Sequence, residues 1–365
     1  MKVAYNDLLA LFSFARPFEK STTDCRLYTN ATKLNIFVYD IGAFVSANID
    51  INDSEDKEFD FVIPFAPVVA FLQSLSRDEV SVTIKKVNNQ IAFFTSSKRK
   101  ISVPIVTNID IGPQEFSESS VVAEFTAKQF IDVLQTVLPF AYGSGVSSAL
   151  DYLNFFCTNN LLRVYGTNGR VVAYATAENE NDYSYSFLLH SAFVNKLIGF
   201  LYKTNKVKIA VDNGYVFFIG ESFCAVCVDG KRTVSYPDAA IQKILTLEKE
   251  YYLEVIKERL INILLVASIN ERLLIEAGSE SLELKSKSEI MATDDELFVI
   301  DSNLDKDTKL KVSLHSKSLL NVVKLLPDEY VTMEIDKPNR DGYTVGHIVI
   351  SGKDKAFFLS TYYGV

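Results

Sequence analysis

Short apolar segments with helical spacing recur along the chain, and each is followed by a polar turn and an alternating run. The first copy is PFAPVVAFLQSL at 64–75, the second is HSAFVNKLIGFL at 190–201, and the third is HSKSLLNVVKLL at 315–326. The runs that follow are DEVSVTI, NKVKIAV and DEYVTMEI. Helical spacing of apolar residues predicts an amphipathic helix, and alternation predicts a half-buried strand. The strand-opening valines Val80, Val207 and Val331 lie 127 and 124 positions apart.

A second type of helix recurs with a similar period. Its three copies are NDLLALFSFA at 6–15, KQFIDVLQTVL at 128–138 and KERLINILLVA at 257–267. The equivalent residues Leu8, Phe130 and Leu260 lie 122 and 130 positions apart. Because two independent markers agree on a period near one third of the chain, we interpret the sequence as repeats of one unit.

Segments with period-two alternation lie between the predicted helices. The clearest span 34–51, 161–177 and 282–293. A helix, strands, a second helix and further strands in each repeat predict an α+β fold with antiparallel sheets. We expect three copies of one domain at 1–119, 120–245 and 246–365, with boundaries inferred from the repeat. Three unrelated domains are the alternative, and the matched order and spacing of both helices argue against it.

Composition places the chain among globular proteins with a large core. Apolar residues make up 48% of its 365 residues and charged residues 23%. No apolar run is long enough to cross a bilayer, so we expect no membrane partner. The first residues lack the cleavage site of an export signal, and the four cysteines are therefore expected to stay reduced in a cytoplasmic protein.

The charge is distributed unevenly. A net charge of −9 taken alone argues against a nucleic-acid-binding protein. The predicted helices at 4–16, 64–77, 126–140, 190–203, 255–268 and 315–326 nevertheless carry +6, which leaves −15 on the remainder. If these helices share one face, that face attracts phosphates without reading bases. Basic residues also suit any exposed helix, so that interpretation stays open. The basic residues are Arg16, Arg77, Lys128, Lys196, Lys203, Lys257, Arg259, Lys317 and Lys324, against Asp7, Asp132 and Glu258.

Residues that could carry catalysis do not form a recognisable set. Cys224 and Cys227 form a single CxxC within a strand pattern, where odd spacing sends the two side chains to opposite faces. His190 and His315 precede equivalent helices, which indicates a structural role at the helix start. The glycine-rich loop at 143–148 follows a helix and lacks the remainder of either phosphate-binding motif. We therefore expect neither an enzyme nor a metal or other cofactor.

Four motifs, in order along the chain, match one known family. They are Ala15-Arg16-Pro17, Asp151-Tyr152-Leu153-Asn154, the run YGTNGRVVA from Tyr165 to Ala173, and Asp229-Gly230 followed by Ser235-Tyr236-Pro237-Asp238. They resemble Gly-Arg-Pro, Tyr-Tyr-Leu-Asn, Ala-Thr-Asp-Gly-His-Arg-Leu-Ala and Asp-Gly-x-Phe-Pro-Asp of the bacterial beta sliding clamp, the processivity subunit of the replicative DNA polymerase. The segment from Leu319 to Leu326 is similar in character to the last helix of that family, so the resemblance extends over the whole chain.

The resemblance implies a DNA clamp fold in which each domain packs two helices on curved antiparallel sheets. A homodimer would close head to tail into a ring, with the helices lining a hole that encloses duplex DNA without sequence specificity. Its partners would be the replicative DNA polymerase and a clamp-loader ATPase. A scaffold of the same fold that binds protein partners without encircling DNA is the alternative.

The resemblance also implies the residues of three sites. For DNA these are Arg16, Arg77, Tyr152, Arg163, Lys196, Lys203 and the loop at 143–148. For a pocket that takes a peptide of partner proteins they are Leu153, Thr167, Val172, Ile244, Leu359 and Thr361. For the dimer interface they are Ile101, Val266 and Ala267. The chain departs from the family at Ile244, which replaces a proline, and at its C-terminus, so the peptide preference is expected to differ.

Overall fold

A computed structural model provides the structure of the chain. It describes residues 1–16, 23–30, 32–40, 43–51, 59–76, 78–106, 116–141, 149–179, 183–246, 248–287, 291–306, 310–336, 345–352 and 354–363.

The first repeat contains two helices, each preceded and followed by strands. Its elements are β1 (Lys2–Ala4), α1 (Tyr5–Ala15), β2 (Asp24–Asn30), β3 (Lys33–Asp40), β4 (Ala43–Asp50), β5 (Asp60–Pro64), α2 (Phe65–Gln73), β6 (Ser81–Val87), β7 (Gln90–Thr95) and β8 (Lys100–Pro104).

The second repeat has the same order of elements and is followed by one more helix. It comprises β9 (Val121–Thr126), α3 (Ala127–Val137), β10 (Tyr152–Thr158), β11 (Leu161–Thr167), β12 (Val171–Glu178), β13 (Tyr185–His190), α4 (Ser191–Leu201), β14 (Lys206–Asp212), β15 (Tyr215–Ile219) and β16 (Phe223–Val228). The added helix is α5 (Asp238–Leu245), which the repeat pattern did not predict.

The third repeat follows the same order with one short strand inserted. It comprises β17 (Lys249–Ile256), α6 (Lys257–Ala267), β18 (Arg272–Ala277), β19 (Ser281–Lys287), β20 (Ala292–Phe298), β21 (Asp301–Ser302), β22 (Leu310–His315), α7 (Ser316–Leu325), β23 (Tyr330–Asp336), β24 (Val345–Gly352) and β25 (Lys355–Tyr363). The α+β class and the repeated order of helices and strands are therefore confirmed. The boundaries near 119 and 245 stay predictions.

The chain forms two compact units. Unit 1 comprises residues 1–131, 158–160 and 179–232. It holds one antiparallel sheet in the order β1-β6-β7-β8 and another in the order β5-β2-β3-β4-β16-β15-β14-β9. In the second sheet Ala43–Ala47 of β4 pair with Phe223–Cys227 of β16, which joins the first repeat to the last strand of the second.

Unit 2 comprises residues 132–157, 161–178 and 233–365. Its strands follow the order β10-β11-β12-β25-β22-β18-β19-β20, and β24, β23, β17 and β21 continue from β25. Val171–Ala175 of β12 pair with Lys355–Leu359 of β25, which joins the second repeat to the last strand of the third. The two joins are equivalent, because each links the third strand after a repeat's first helix to the final strand of the next repeat.

The helices bury one apolar face, as their spacing predicts. In α1 the buried residues are Tyr5, Leu8, Leu11, Phe12 and Ala15, and in α2 they are Phe65, Val68, Val69 and Leu72. The rings of Phe12 and Phe65 stack at 5.6 Å, and the Tyr5 hydroxyl donates to the Leu72 carbonyl at 3.0 Å. Burial of such side chains contributes about 1.5–3 kcal/mol each, which fixes the two helices against one another.

Two helices begin at a histidine, as the sequence predicted. The backbone N–H of Ala192 donates to His190 Nδ1 at 3.1 Å at the start of α4. The N–H of Ser318 donates to His315 Nδ1 at 3.3 Å at the start of α7. Each imidazole satisfies a backbone donor that the helix itself leaves unpaired.

Candidate partner groove, helix cations and chain edges

Strands β10, β11, β12 and β25 carry the predicted pocket residues other than Ile244, and strand pairing fixes the face each side chain occupies. Thr167 lies opposite Val172, and Val172 lies opposite Phe358. Residues directly opposite each other share a face, so these three define what we call the outer face. Val171 lies opposite Leu359, which places Leu359 on the other, inner face.

The inner face packs against α3. A Cβ on Gly166 would lie 3.1 Å from Val137 Cγ1 of that helix and 3.7 Å from Leu153 Cγ, so Leu153 also belongs to the inner face. Leu153 and Leu359 are both buried there as ordinary core side chains. Thr167 and Val172 are buried on the outer face. Thr361 lies in β25, and its side chain is outside the described part.

Helix α5 is tied to the outer-face side of β10 and β11 by a polar network. The Tyr165 hydroxyl donates to Asp238 Oδ1 at 3.1 Å, and it accepts from Asn154 Nδ2 at 3.1 Å and from Gln242 Nε2 at 3.5 Å. The Asn154 amide also donates to Asp238. Asp238 and Gln242 are one helical turn apart, so a single tyrosine holds two successive turns of α5.

Burial, together with the neighbouring Asp238 carboxylate, raises the pKa of Tyr165 to about 12. The phenol is therefore protonated at neutral pH and serves as a donor. Asp238 stands in the first turn of α5, where a carboxylate interacts favourably with the helix dipole. Ile244, the remaining predicted pocket residue, is half-buried near the end of the same helix. We give the name candidate partner groove to a set of four residues. Thr167, Val172 and Phe358 share the outer face, and Ile244 lies on α5, which the Tyr165 network ties to the same side of the sheet.

Thr167, Val172 and Ile244 were predicted from the sequence, whereas Phe358 and the polar network were not. Asn154, Tyr165 and Asp238 all lie within motifs noted above, yet nothing in a motif shows that its polar residues meet. The alternation in β25 contained the signal for Phe358, because a neighbour of Leu359 must lie on the opposite face.

The turn between β11 and β12 closes the end of the groove strands. Gly169 adopts a positive φ of 82°, which favours glycine. Asn168 Oδ1 accepts from the N–H groups of Arg170 and Val171 at 3.0 and 2.9 Å. Arg170 reaches Glu271 at 3.4 Å, and both side chains are exposed, so this ion pair contributes little to stability.

The basic residues predicted to contact DNA differ in their surroundings. Arg16 is exposed at the end of α1, and Lys196 is half-buried on α4. Lys203 has a role within the fold, because its ammonium lies 4.3 Å from the centre of the Phe14 ring and donates to the Ser13 carbonyl at 3.2 Å. Burial lowers the pKa of Lys203. Arg77 and the loop at 143–148 lie outside the described residues.

Tyr152 and Arg163, also predicted for DNA, lie on strands rather than helices. Arg163 lies opposite Thr176 and has the same parity in β11 as Tyr165, which places it away from α3. Tyr152 alternates with Leu153 in β10 and likewise faces away from α3. Both are half-buried. The structure thus does not place these two residues with the helix cations.

Of the strands that end a sheet, β8 and β20 differ in charge. β8 is the last strand of its sheet. Its first residue, Lys100, and the two residues before it, Lys98 and Arg99, are exposed and basic. β20 is the last strand of the longest path in unit 2 and carries Asp294, Asp295 and Glu296.

The predicted interface residues lie at or near these strands. Ile101 is half-buried in β8. In α6, Val266 is 46% exposed whereas Ala267 is fully buried, so of these two residues only Val266 has an accessible side chain. The nearby Leu265 and Ile269, which were not predicted from the sequence, are 49% and 70% exposed.

The cysteines are free thiols. Cys224 and Cys227 lie on opposite faces of β16, opposite Ser46 and Ala43 respectively, as the odd spacing predicted. Within the described ranges, no helix has the length and apolar character needed to span a bilayer.

Comparison with known proteins finds similarity at the level of structure. No protein-family model and no curated protein matches the sequence. The DNA polymerase III beta subunit of Pseudomonas aeruginosa has a TM-score of 0.87 at 12% identity, over 99% of each chain. The sliding clamp of Bacillus subtilis has a TM-score of 0.86 at 13% identity, over 100% of this chain and 99% of that one.

A third similar structure is the Helicobacter pylori beta clamp bound to a DNA ligase peptide, with a TM-score of 0.82 at 15% identity over 99% of each chain. Similarity at such low identity, extending over nearly the whole of both chains, is similarity of fold. The chain therefore has the fold of the bacterial DNA polymerase III beta subunits, the sliding clamps.

Proposed function

We propose that this protein is a DNA sliding clamp, a non-enzymatic homodimeric ring that encloses duplex DNA and tethers a polymerase and other partners. The observation that carries the proposal is the repeated join. The third strand after a repeat's first helix pairs with the last strand of the next repeat at β4–β16 and again at β12–β25. In the third repeat, β20 is the strand equivalent to β4 and β12. In the first repeat, β8 is the strand equivalent to β16 and β25.

Pairing of β20 in one copy with β8 in a second copy would repeat the join a third time. Two copies related by a two-fold axis would make this contact twice and close, as head-to-tail joins in a symmetric dimer require. The five-residue register of the other joins predicts Ala292–Glu296 against Lys100–Pro104, with Glu296 opposite Lys100. The exposed side chains of Leu265, Val266 and Ile269 support an apolar contact next to this seam.

The helix cations support DNA as the enclosed molecule. Arg16 and Lys128 are exposed on the first and third helices, and Lys317 and Lys324 are exposed on α7. Contacts of such residues with phosphates are independent of base sequence and weaken with salt, which suits sliding. A ring retains DNA by enclosure, so its contacts need not be tight, and a tethered polymerase gains effective local concentration. A clamp-loader ATPase would open the ring, and the protein would act in the cytoplasm.

The groove between α5 and the outer face supports partner binding. It combines apolar side chains with a few polar groups, as peptide-binding sites usually do. The Helicobacter pylori clamp has been solved with a DNA ligase peptide, and we propose that this chain accepts peptides at Thr167, Val172, Ile244 and Phe358. Leu153 and Leu359 would support the groove from the inner face, and Thr361 stays a predicted member.

A scaffold that binds protein partners without encircling DNA is the second candidate. The net charge of −9 favours it, because an acidic protein gains little from non-specific attraction to DNA. The two candidates differ in whether retention on DNA depends on the topology of the DNA.

The ring itself is tested by mass and by imaging of the full chain. A particle near twice 40.9 kDa at micromolar concentration, with a central hole in electron micrographs, is the expected result. A species that stays at 40.9 kDa at every concentration, or a dimer without a hole, would contradict the ring.

The groove is tested with the DNA ligase peptide that the Helicobacter pylori clamp binds. Val172→Asp places a charge in the apolar groove and is expected to weaken peptide binding at least about tenfold, because a buried unpaired charge costs more than ~1.4 kcal/mol. Tyr39→Asp, at an exposed position in unit 1, is the matched control. Equal affinity of the two variants would place the peptide elsewhere.

A further inference from the structure

The attachment of α5 depends on few apolar side chains. Ile241 is its one fully buried residue, and Ile244 and Leu245 are half-buried. A helix of this length is unstable by itself in water, so its position must come from contacts with the sheet. The network centred on Tyr165 supplies the remaining contacts, and it grips α5 at Asp238 and again at Gln242.

The base of α5 also contains buried polar atoms that lack partners among the described residues. These are Asn154 Oδ1 and the Tyr236 hydroxyl, and the Tyr236 ring lies 6.2 Å from that of Tyr165. An unsatisfied buried polar group costs about 1–3 kcal/mol. The position of α5 is thus stabilised by a specific network and destabilised by these two unsatisfied groups, which is typical of a segment that opens locally.

We propose that Tyr165 and Asp238 are positioning residues for partner binding, which hold α5 in place and thereby set where Ile244 stands over the outer face. The inference rests on the proposed function for its biological role, since the groove is the proposed partner site. It adds that the position of Ile244 depends on the hydrogen bonds that Tyr165 and Asp238 make at the base of α5. Neither residue needs to contact the peptide.

The first test measures amide hydrogen exchange in the full-length protein. Tyr165→Phe removes only the hydroxyl, and Asp238→Ala removes its acceptor. Each is expected to speed exchange within 240–245 by about tenfold, the effect of losing one to two hydrogen bonds, while the strands at 161–178 keep their protection. The matched control is Tyr174→Phe, because Tyr174 lies directly opposite Tyr165 on the same face and outside the network.

Two further variants separate positioning from a general effect on folding. Asp238→Asn keeps an acceptor oxygen and should restore most of the protection that Asp238→Ala loses. The double variant Tyr165→Phe with Asp238→Ala should speed exchange by less than the product of the two single effects, because both single variants remove the shared Tyr165–Asp238 hydrogen bond. Unchanged exchange in α5, or an equal acceleration across 161–178, would overturn the inference.

The second test is the affinity for the DNA ligase peptide. Tyr165→Phe is expected to weaken binding several-fold, while Tyr174→Phe binds as the unaltered chain does. If α5 loosens but peptide affinity is unchanged, positioning for partners is refuted. If the unaltered chain fails to bind the peptide while α5 still responds in exchange, the proposed partner groove fails and the structural role of the network stands by itself.

Discussion

Several residues whose type suggests catalysis or DNA binding instead stabilise the fold of this chain. His190 and His315 stand at the starts of helices, where serine, threonine, aspartate and asparagine are preferred. Lys203 was predicted to contact DNA, but its ammonium group contacts the Phe14 ring and donates to the Ser13 carbonyl oxygen. Residue type and position predicted the role of the histidines, whereas the role of Lys203 depends on Phe14, which lies far away in sequence.

The cap at His315 predicts a pH dependence of stability. Burial, Arg170 and Lys317 lower the pKa of His315, and Glu271 opposes them. Because the folded pKa lies below the unfolded value of about 6.5, the cap stabilises the fold above that pH and is lost as pH falls through the folded pKa. We expect His315→Ala to cost about 0.5–2 kcal/mol at pH 7.5 and less at pH 5.

Denaturant unfolding at the two pH values measures this effect. His315→Asn retains a capping oxygen that does not titrate in this range. The stability that the cap contributes should therefore be the same at pH 5 and at pH 7.5 in this variant. An Ala variant that loses as much stability at pH 5 as at pH 7.5 would show that the imidazole acts by packing alone.

Lys203 offers a second prediction at this scale. Lys203→Met keeps the aliphatic stem and removes the charge, so it should lower the melting temperature through loss of about 0.5–1 kcal/mol of cation–π attraction. Lys128→Met, at an exposed position on α3, should leave the melting temperature unchanged and weaken DNA retention at low salt. Lys203 would regain the role of a DNA contact if its variant lost DNA retention without losing stability.

Secondary-structure elements were predictable where a pattern repeated. The helices of the three repeats begin and end close to the predicted positions, and segments such as 34–51 and 161–177 fold as pairs of antiparallel strands. Helix α5 was missed because it has one fully buried side chain and no counterpart among the described residues of the other repeats. Alternation showed which residues share a face within one strand. Only the contacts between strands showed that Leu153 and Leu359 lie on the inner face and that Thr167 and Val172 lie on the outer face.

The edges β8 and β20 carry the element-scale prediction. If the register of the other joins is repeated, Glu296→Lys and Lys100→Glu should each weaken the dimer several-fold at low salt, because each sets like charges opposite one another. The double variant should restore most of the affinity, as measured by sedimentation. The differences should vanish near 1 M salt, where the Debye length is about 3 Å. A double variant weaker than either single one would refute this register.

At the scale of the whole molecule, the repeats account for how the proposed ring would enclose DNA although the chain is acidic. The net charge is −9, yet the predicted helices carry +6. The repeat itself could be predicted from the sequence, because helix spacing is a local property. Closure could not, since it depends on which strand edges remain unpaired, and that becomes visible only when β4–β16 and β12–β25 are seen to make the same join.

Retention on DNA of different topology tests the central claim most directly. The protein is mixed with nicked circular DNA at low concentration, concentrated so that dimers close, and passed through a sizing column in moderate salt. We predict that it elutes with the circle and that linearising the circle releases it. Retention that is equal on circular and linear DNA, or absent from both while the dimer persists, would contradict a sliding clamp.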